Sequence, residues 1–184
     1  LREKLPDLKI AISHTTRTIR DGEKDGADYI FISQQEFEAK IKDNEFLEWA
    51  LVHSYYYGTS FQEVDTTLKN GHDTLLELDV QGVETLRKMQ YQGIYILILP
   101  PSIQEMEARL KKRGTDSEES IQRRIATGKK EVTKYKMYDY VITNFEVADT
   151  VQTILAILQA EKVRAPLYIP TSPDIEELLK DGAA

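Results

Sequence analysis

The six-residue run I-Y-I-L-I-L at positions 94–99, closed in by Gly93 and Pro100, constrains this chain more than any other stretch. A run so short and so uniformly apolar has no wet face, so it suits a strand in the buried middle of a parallel sheet. Parallel strands cannot be joined by a tight turn; they need crossovers of a dozen or more residues, usually helical. The flanking sequence provides both partners and crossovers. Strand-like runs stand at 8–12 (L-K-I-A-I), 46–52 (F-L-E-W-A-L-V), 73–79 (D-T-L-L-E-L-D) and 138–143 (Y-D-Y-V-I-T). Between them, the capping-box spacings Ser33-x-x-Glu36, Ser60-x-x-Glu63 and Ser102-x-x-Glu105 open helices, the first running to about position 44 and the second stopped by Gly71. A further helix begins at Gln81-Gly82, and a closing one runs from Val147 with Val151, Ile154, Leu155 and Leu158 as its apolar stripe. This alternation predicts a doubly wound α/β domain with two insertions: an antiparallel patch over 29–57 and a basic helical hairpin.

Residues 12–32 carry the clearest chemistry. Arg17 and Arg20 follow the first strand, then come a glycine-bracketed acidic turn and Tyr29. Two planar, permanently charged forks flanked by the hydroxyls of Ser13 and Tyr29 form a cradle for a phosphate, although solvated loop arginines are the plainer alternative. In 46–52, strict alternation puts Phe46, Glu48, Ala50 and Val52 on one face and Leu47, Trp49 and Leu51 on the other. A carboxylate on an apolar face is either ligand-bound, paired or at an edge reaching water. Tyr55 and Tyr57 share a side, so one phenol there could join the cradle. Glu77 and Asp79 end the 73–79 run on one face, where ligands of open α/β sheets sit.

Charge narrows the ligand. Lys and Arg number 24 against 31 Asp and Glu, a net charge of −7, which argues against a protein that coats a nucleic-acid polymer. Yet ten of the basic residues fall within 109–136, among four acids. That hairpin has few large apolar residues and should be mobile, suiting a lid over phosphates, or else a salt-bridged surface feature. A small anionic ligand fits a cationic segment on an acidic body. The chain has no cysteine and no apolar run of membrane-spanning length, so a cytoplasmic protein with no membrane partner is expected. Residues 164–173 hold three of the six prolines and read as an arm, followed by a short helix over 174–180.

Over residues 1 to about 163 the chain resembles the guanylate kinase family. S-H-T-T-R-x-x-R-x-G-E-x-x-G-x-D-Y-x-F, E-F-L-E-W-A, Y-Y-G-T-S, D-V-Q-G, L-P-P-S and R-G-T-D-S-E-E-S-I-x-x-R stand here in the family's order. The resemblance implies transfer of the terminal phosphoryl group of ATP to GMP with Mg2+, and a P-loop kinase core (1–13, 70–108 and 137–163). It also implies a small antiparallel GMP-binding lobe (about 14–69), a helical lid (about 109–136) and a C-terminal arm (164–184). By the same resemblance, Arg17, Arg20, Tyr29 and Tyr57 hold the GMP phosphate, Glu48, Ser13 and Thr59 hold guanine, and Glu77 and Asp79 belong to the GMP site. Arg109, Arg113 and Asn144 lie on the ATP side, and Arg20, Arg113, Arg124 and Arg109 are the catalytic arginines. Glu77 stands where the family's D-x-D has its first Asp. The family's glycine-rich G-x-x-G-x-G-K-[ST] loop occurs nowhere in the sequence. The natural protein is therefore expected to have residues ahead of Leu1, and the chain as written to bind GMP better than ATP and to catalyse poorly. A catalytically inactive guanylate-kinase-like domain that binds GMP or phosphorylated peptides is the alternative; oligomeric state is left open.

Overall fold

Two short parallel ladders carry the core of this computed structural model, which describes residues 1, 3–52, 54–114, 117–165, 170, 172–173 and 175–177. In one ladder β1 (Lys9–Ile10) pairs with β6 (Thr74–Leu75); in the other β7 (Ile96–Leu99) pairs with β8 (Tyr140–Thr143). The expected α/β class holds, but four strands are shorter than the sequence implies, β1 and β6 most of all. The β1–β6 ladder closes with Ala11 N donating to Leu75 O, after which the chain crosses to a second sheet, where Ser13 O accepts from Ile30 N. Residues 76–79 have no ladder partner among the described residues, so Glu77 and Asp79 do not end a strand. Asp79 instead caps α3 (Val80–Lys88), accepting from Gly82 N at 2.9 Å. The apolar run at 94–99 is also less covered than expected. Among the described residues β8 is its one ladder neighbour, and Ile94 and Ile98 are 38% and 46% exposed.

The second sheet has the order β3 (Ile30–Phe31), β2 (His14–Thr15), β5 (Tyr55–Ser60), β4 (Phe46–Val52). It is antiparallel across β2, β5 and β4 and gains a parallel edge at β3; residues 16–29 provide the long connection that a parallel pair requires. Thr15 and Thr16 lock β2 to β5: the Thr15 hydroxyl donates to Tyr56 O and the Thr16 hydroxyl accepts from Tyr56 N, each at 3.0 Å. A bulge interrupts β4, since Phe46 opposes Ser60 while Glu48 opposes Thr59. It breaks the strict alternation expected there. Leu47, the extra residue, is 2% exposed, whereas Trp49 and Leu51 are 42% and 52% exposed. The bulge turns Leu47 into the main core with Ala11, Val64, Val83, Leu86 and Tyr95, and keeps Glu48 buried beside it.

Six α-helices are described. α1 (Gln34–Lys42) has the complete Ser33/Glu36 capping box and buries Phe37 in stacks with Phe46 at 4.4 Å and Tyr56 at 5.1 Å. α2 (Phe61–Lys69) is capped by Ser60, but the Glu63 carboxylate turns away from the cap to the Ile12 amide. α4 (Ile103–Arg113) ends at Gly114 in the left-handed region, and α5 (Glu118–Val132) returns against it. This hairpin is better anchored than its composition implies, because Ile121 and Ile125, one turn apart, are both buried. Gly128 lets the two helices approach: a Cβ there would lie 2.8 Å from Met106 Cε. α6 (Val147–Lys162) packs through Thr150, Ile154, Ile157 and Glu161, a stripe rotated from the expected one because Glu161 reaches the Tyr140 hydroxyl at 2.5 Å.

The C-terminal end of α3 is tied to the segment leading out of the hairpin. Arg87 lies 3.7 Å over the Tyr95 ring, donates through Nε to Met137 O and pairs with Asp139, each at 2.7 Å, while Lys134 pairs with Glu84. Of the helix expected over 174–180, residues 175–177 are helical; the rest of it lies outside the described residues.

Candidate active site

Glu48 is the centre of one cluster. It is 5% exposed, and its Oε1 accepts from the Thr59 amide at 2.9 Å across the β4–β5 ladder. Oε2 lies against α3, where a Cβ on Gly82 would meet it at 2.7 Å. The Thr59 hydroxyl is 3.2 Å from the Ser13 hydroxyl. Ser13, Glu48 and Thr59, drawn from three separate stretches of sequence, therefore converge, and Asp79 stands close enough for its charge to be felt. Burial, reinforced by Asp79 and opposed by the Thr59 hydrogen bonds, pushes the Glu48 carboxyl up to about 7. A carboxyl poised there exchanges its proton near neutrality and, once ionised, offers lone pairs to a ligand carrying adjacent N–H donors.

Arg17 is the centre of the other. It is 7% exposed, with its guanidinium 5.4 Å from the Tyr29 ring centroid and 5.6 Å from that of Phe31. Tyr57 lies edge-on to Tyr29 at 5.9 Å, which groups Arg17, Tyr29 and Tyr57, while Ser13, expected in the same cradle, stands beside Thr59. The cradle is not vacant of anions: Glu23 takes both terminal nitrogens of Arg17, at 3.0 and 2.8 Å. The pair holds the Glu23 carboxyl below its usual range and the Arg17 guanidinium above its own. Burial, Tyr57 and then the Glu77 charge raise the Tyr29 phenol. Arg20 is half-buried, and among the described residues its guanidinium has no hydrogen bond or ion pair.

On the hairpin side, Arg109 is held by Glu105 at 2.7 Å and donates to the carbonyls of Asn144 and Phe145. Arg109 and Asn144, expected together, are together. Asn144 Oδ1 is buried and has no partner among the described residues. Arg124 is half-buried on α5 beside Ile125; the Arg113 side chain lies outside the described part of the structure. Several other basic side chains of the hairpin are paired locally, Lys111 with Glu107 and Glu118 and Arg123 with Glu119. The described residues hold no group of three or more His, Asp or Glu side chains able to cage a metal.

Sequence reasoning missed Glu23 and Gly82. The R-x-x-R-x-G-E spacing put a carboxylate near two arginines, but its pairing with Arg17 depends on the turn at Gly22. Nothing local flags Gly82, because the contact that requires it comes from β4.

The family model for guanylate kinase matches residues 1–161. The guanylate kinase of Caldanaerobacter subterraneus subsp. tengcongensis is 45% identical over 164 residues, which span 89% of this chain and 80% of that protein. That of Carboxydothermus hydrogenoformans is 43% identical over the same shares of each chain. The crystal structure of guanylate kinase from Anaplasma phagocytophilum superposes with a TM-score of 0.78 at 30% identity, covering 98% of this chain and 87% of that one.

Proposed function

The chain belongs to the guanylate kinase family, and on that premise we propose how its residues divide the family's reaction, transfer of the terminal phosphoryl group of ATP to GMP with formation of ADP and GDP. The observation that carries the assignment is the buried Glu48 carboxylate, held by Thr59 beside Ser13. Ionised, it accepts from guanine N1–H and the exocyclic N2 amine, while Ser13 and Thr59 present hydroxyls to the same base. Adenine offers an unprotonated N1 at that edge, and a site that leaves a buried acceptor unpaired rejects such an analogue strongly.

Arg17, Arg20, Tyr29 and Tyr57 bind the GMP phosphate, with Glu77 and Asp79 bordering the site. An oxygen of that phosphate attacks the terminal phosphorus of ATP as the bond to the bridging oxygen breaks, and ADP leaves with the bonding electrons. The nucleophile is already anionic, so no protein base is required. Charge spreads over the moving phosphoryl oxygens, and Arg20, Arg109, Arg113 and Arg124 stabilise it. Asn144 Oδ1, buried and unpartnered among the described residues, accepts from the adenine amine, with Arg109 beside it.

Magnesium takes most of its ligands from nucleotide phosphates and water, so it would arrive on ATP. When bound it would neutralise phosphate charge. We read the chain as a core (1–13, 70–108, 137–163), a GMP lobe (14–69), a lid (109–136) and an arm (164–184), acting in the cytoplasm.

The test is nucleoside diphosphate formation from ATP, Mg2+ and each of GMP, AMP and UMP. GDP is the expected product, with AMP and UMP disfavoured by about a thousandfold or more. Comparable turnover of AMP would remove the role given to Glu48.

A further inference from the structure

One charged side chain in the cradle has no role in the scheme above. Glu23 accepts from Arg17 Nη1 at 3.0 Å and Nη2 at 2.8 Å, and its Oε2 also accepts from the Arg20 amide at 2.8 Å. Its own amide returns to Arg20 O at 3.1 Å. These bonds close a tight turn whose reversal is made by Gly22 at φ +87°, a conformation that side chains resist. Glu23 thus ties the side chain of one cradle arginine to the backbone of the other.

Donor accounting shows what this leaves available. Arg17 Nη1 gives its second hydrogen to Thr18 O at 2.7 Å. Of the five guanidinium N–H groups, Nε–H and one Nη2–H are taken by neither Glu23 nor Thr18 O, and on the protein side the guanidinium's further partner is the Tyr57 hydroxyl, itself a cradle group. These two N–H groups form the side edge of the fork, two near-parallel donors that match two phosphate oxygens. The rings of Tyr29 and Phe31, 5.4 and 5.6 Å from Arg17 Cζ, restrict its plane.

We propose that Glu23 is a positioning residue for recognition of the GMP phosphate: it occupies the end of the Arg17 fork, so that the side edge is the face presented to phosphate, and it fixes the step between Arg17 and Arg20. This inference rests on the GMP reading above. Displacement of Glu23 by the incoming phosphate is the competing idea, but it requires losing the bond to the Arg20 amide as well as both bonds to Arg17.

The experiment compares wild-type protein, Glu23→Ala and Glu23→Gln for binding of GMP and of guanosine, which has the base without the phosphate, together with kcat and KM for GMP. In Glu23→Ala, GMP affinity falls by about 10- to 100-fold while guanosine affinity stays at the wild-type value, and KM rises more than kcat falls. Glu23→Gln is intermediate, because its amide oxygen still accepts one bond. Unchanged or tighter GMP binding in Glu23→Ala overturns the proposal, the tighter case identifying Glu23 as a displaced anion; equal losses for GMP and guanosine also overturn it, as damage to the lobe at large. Wild-type protein that binds AMP as well as GMP would refute the guanine reading instead, and the Glu23 effect on phosphate affinity would still be readable with either nucleotide.

Discussion

In the guanine site proposed above, a single proton on Glu48 decides whether the carboxylate can accept from the base. With the carboxyl pushed up to about 7 by burial, a substantial fraction is protonated at neutral pH, and that form has lost one of the acceptors guanine requires. GMP affinity is expected to rise as pH increases through about 7, with release of a proton on binding. Calorimetry in two buffers of different ionisation enthalpy measures that release directly. Equal apparent enthalpies at pH 6.5 would show that Glu48 is already ionised. Glu48→Gln should weaken GMP about a hundredfold and remove the proton release. The sequence made this residue conspicuous, because a glutamate among F-L-W-A-L-V must be accounted for. It did not reveal the setting of the charge, since Gly82 and Asp79 reach Glu48 through packing of α3 on β4. The same limit applies to Arg17: its residue type announced phosphate, whereas its prior engagement by Glu23 depends on a turn only three dimensions display.

At the scale of elements, three glycines mark where backbones approach, and they should not respond alike to alanine. In Gly58 the added Cβ meets Glu48 O, Phe37 Cζ and Trp49 Cβ, each at 3.0 Å. Backbone and stacked rings cannot yield easily, so Gly58→Ala is expected to cost about 1–3 kcal/mol in denaturant unfolding. In Gly128 the obstacle is the end of Met106, a flexible thioether. Gly128→Ala should therefore change stability by less than about 1 kcal/mol, helped by better helix propensity. In Gly82 the obstacle is the Glu48 carboxylate itself; Gly82→Ala is expected to leave unfolding nearly unchanged while lowering GMP affinity about tenfold or more. A Gly82→Ala variant with wild-type GMP binding would show that Oε2 has room to move. Element identity was largely legible in advance, because capping serines and apolar periodicity are local signals. Strand lengths were not: the ladders at 9–10 and 74–75 stop where the chain changes sheets, and the β4 bulge resets an alternation that looks regular on paper.

For the whole molecule, two buried groups bend stability with pH in opposite senses. Glu48 has its folded value raised from 4.5 to about 7, so its contribution is complete below about 4.5 and lost as pH rises through 7, about 3 kcal/mol in all. His14 is lowered from 6.5, chiefly by burial and then by Lys40; its contribution is complete above 6.5 and lost as pH falls through its folded value. Ligand-free protein is expected to be most stable in the mildly acidic to neutral range. Thermal unfolding scanned from about pH 4 to 9 tests this, and Glu48→Gln should remove the decline that Glu48 imposes between about 4.5 and 7. A different consequence follows from the ties at the far end of α3. Arg87 and Glu84 pin Met137, Asp139 and Lys134, so the hairpin is a door hung from one jamb. Any swing over nucleotide by the proposed lid has to be taken up on the α4 side or within α5, and the jamb itself is the helix whose opening turn makes room for the Glu48 carboxylate.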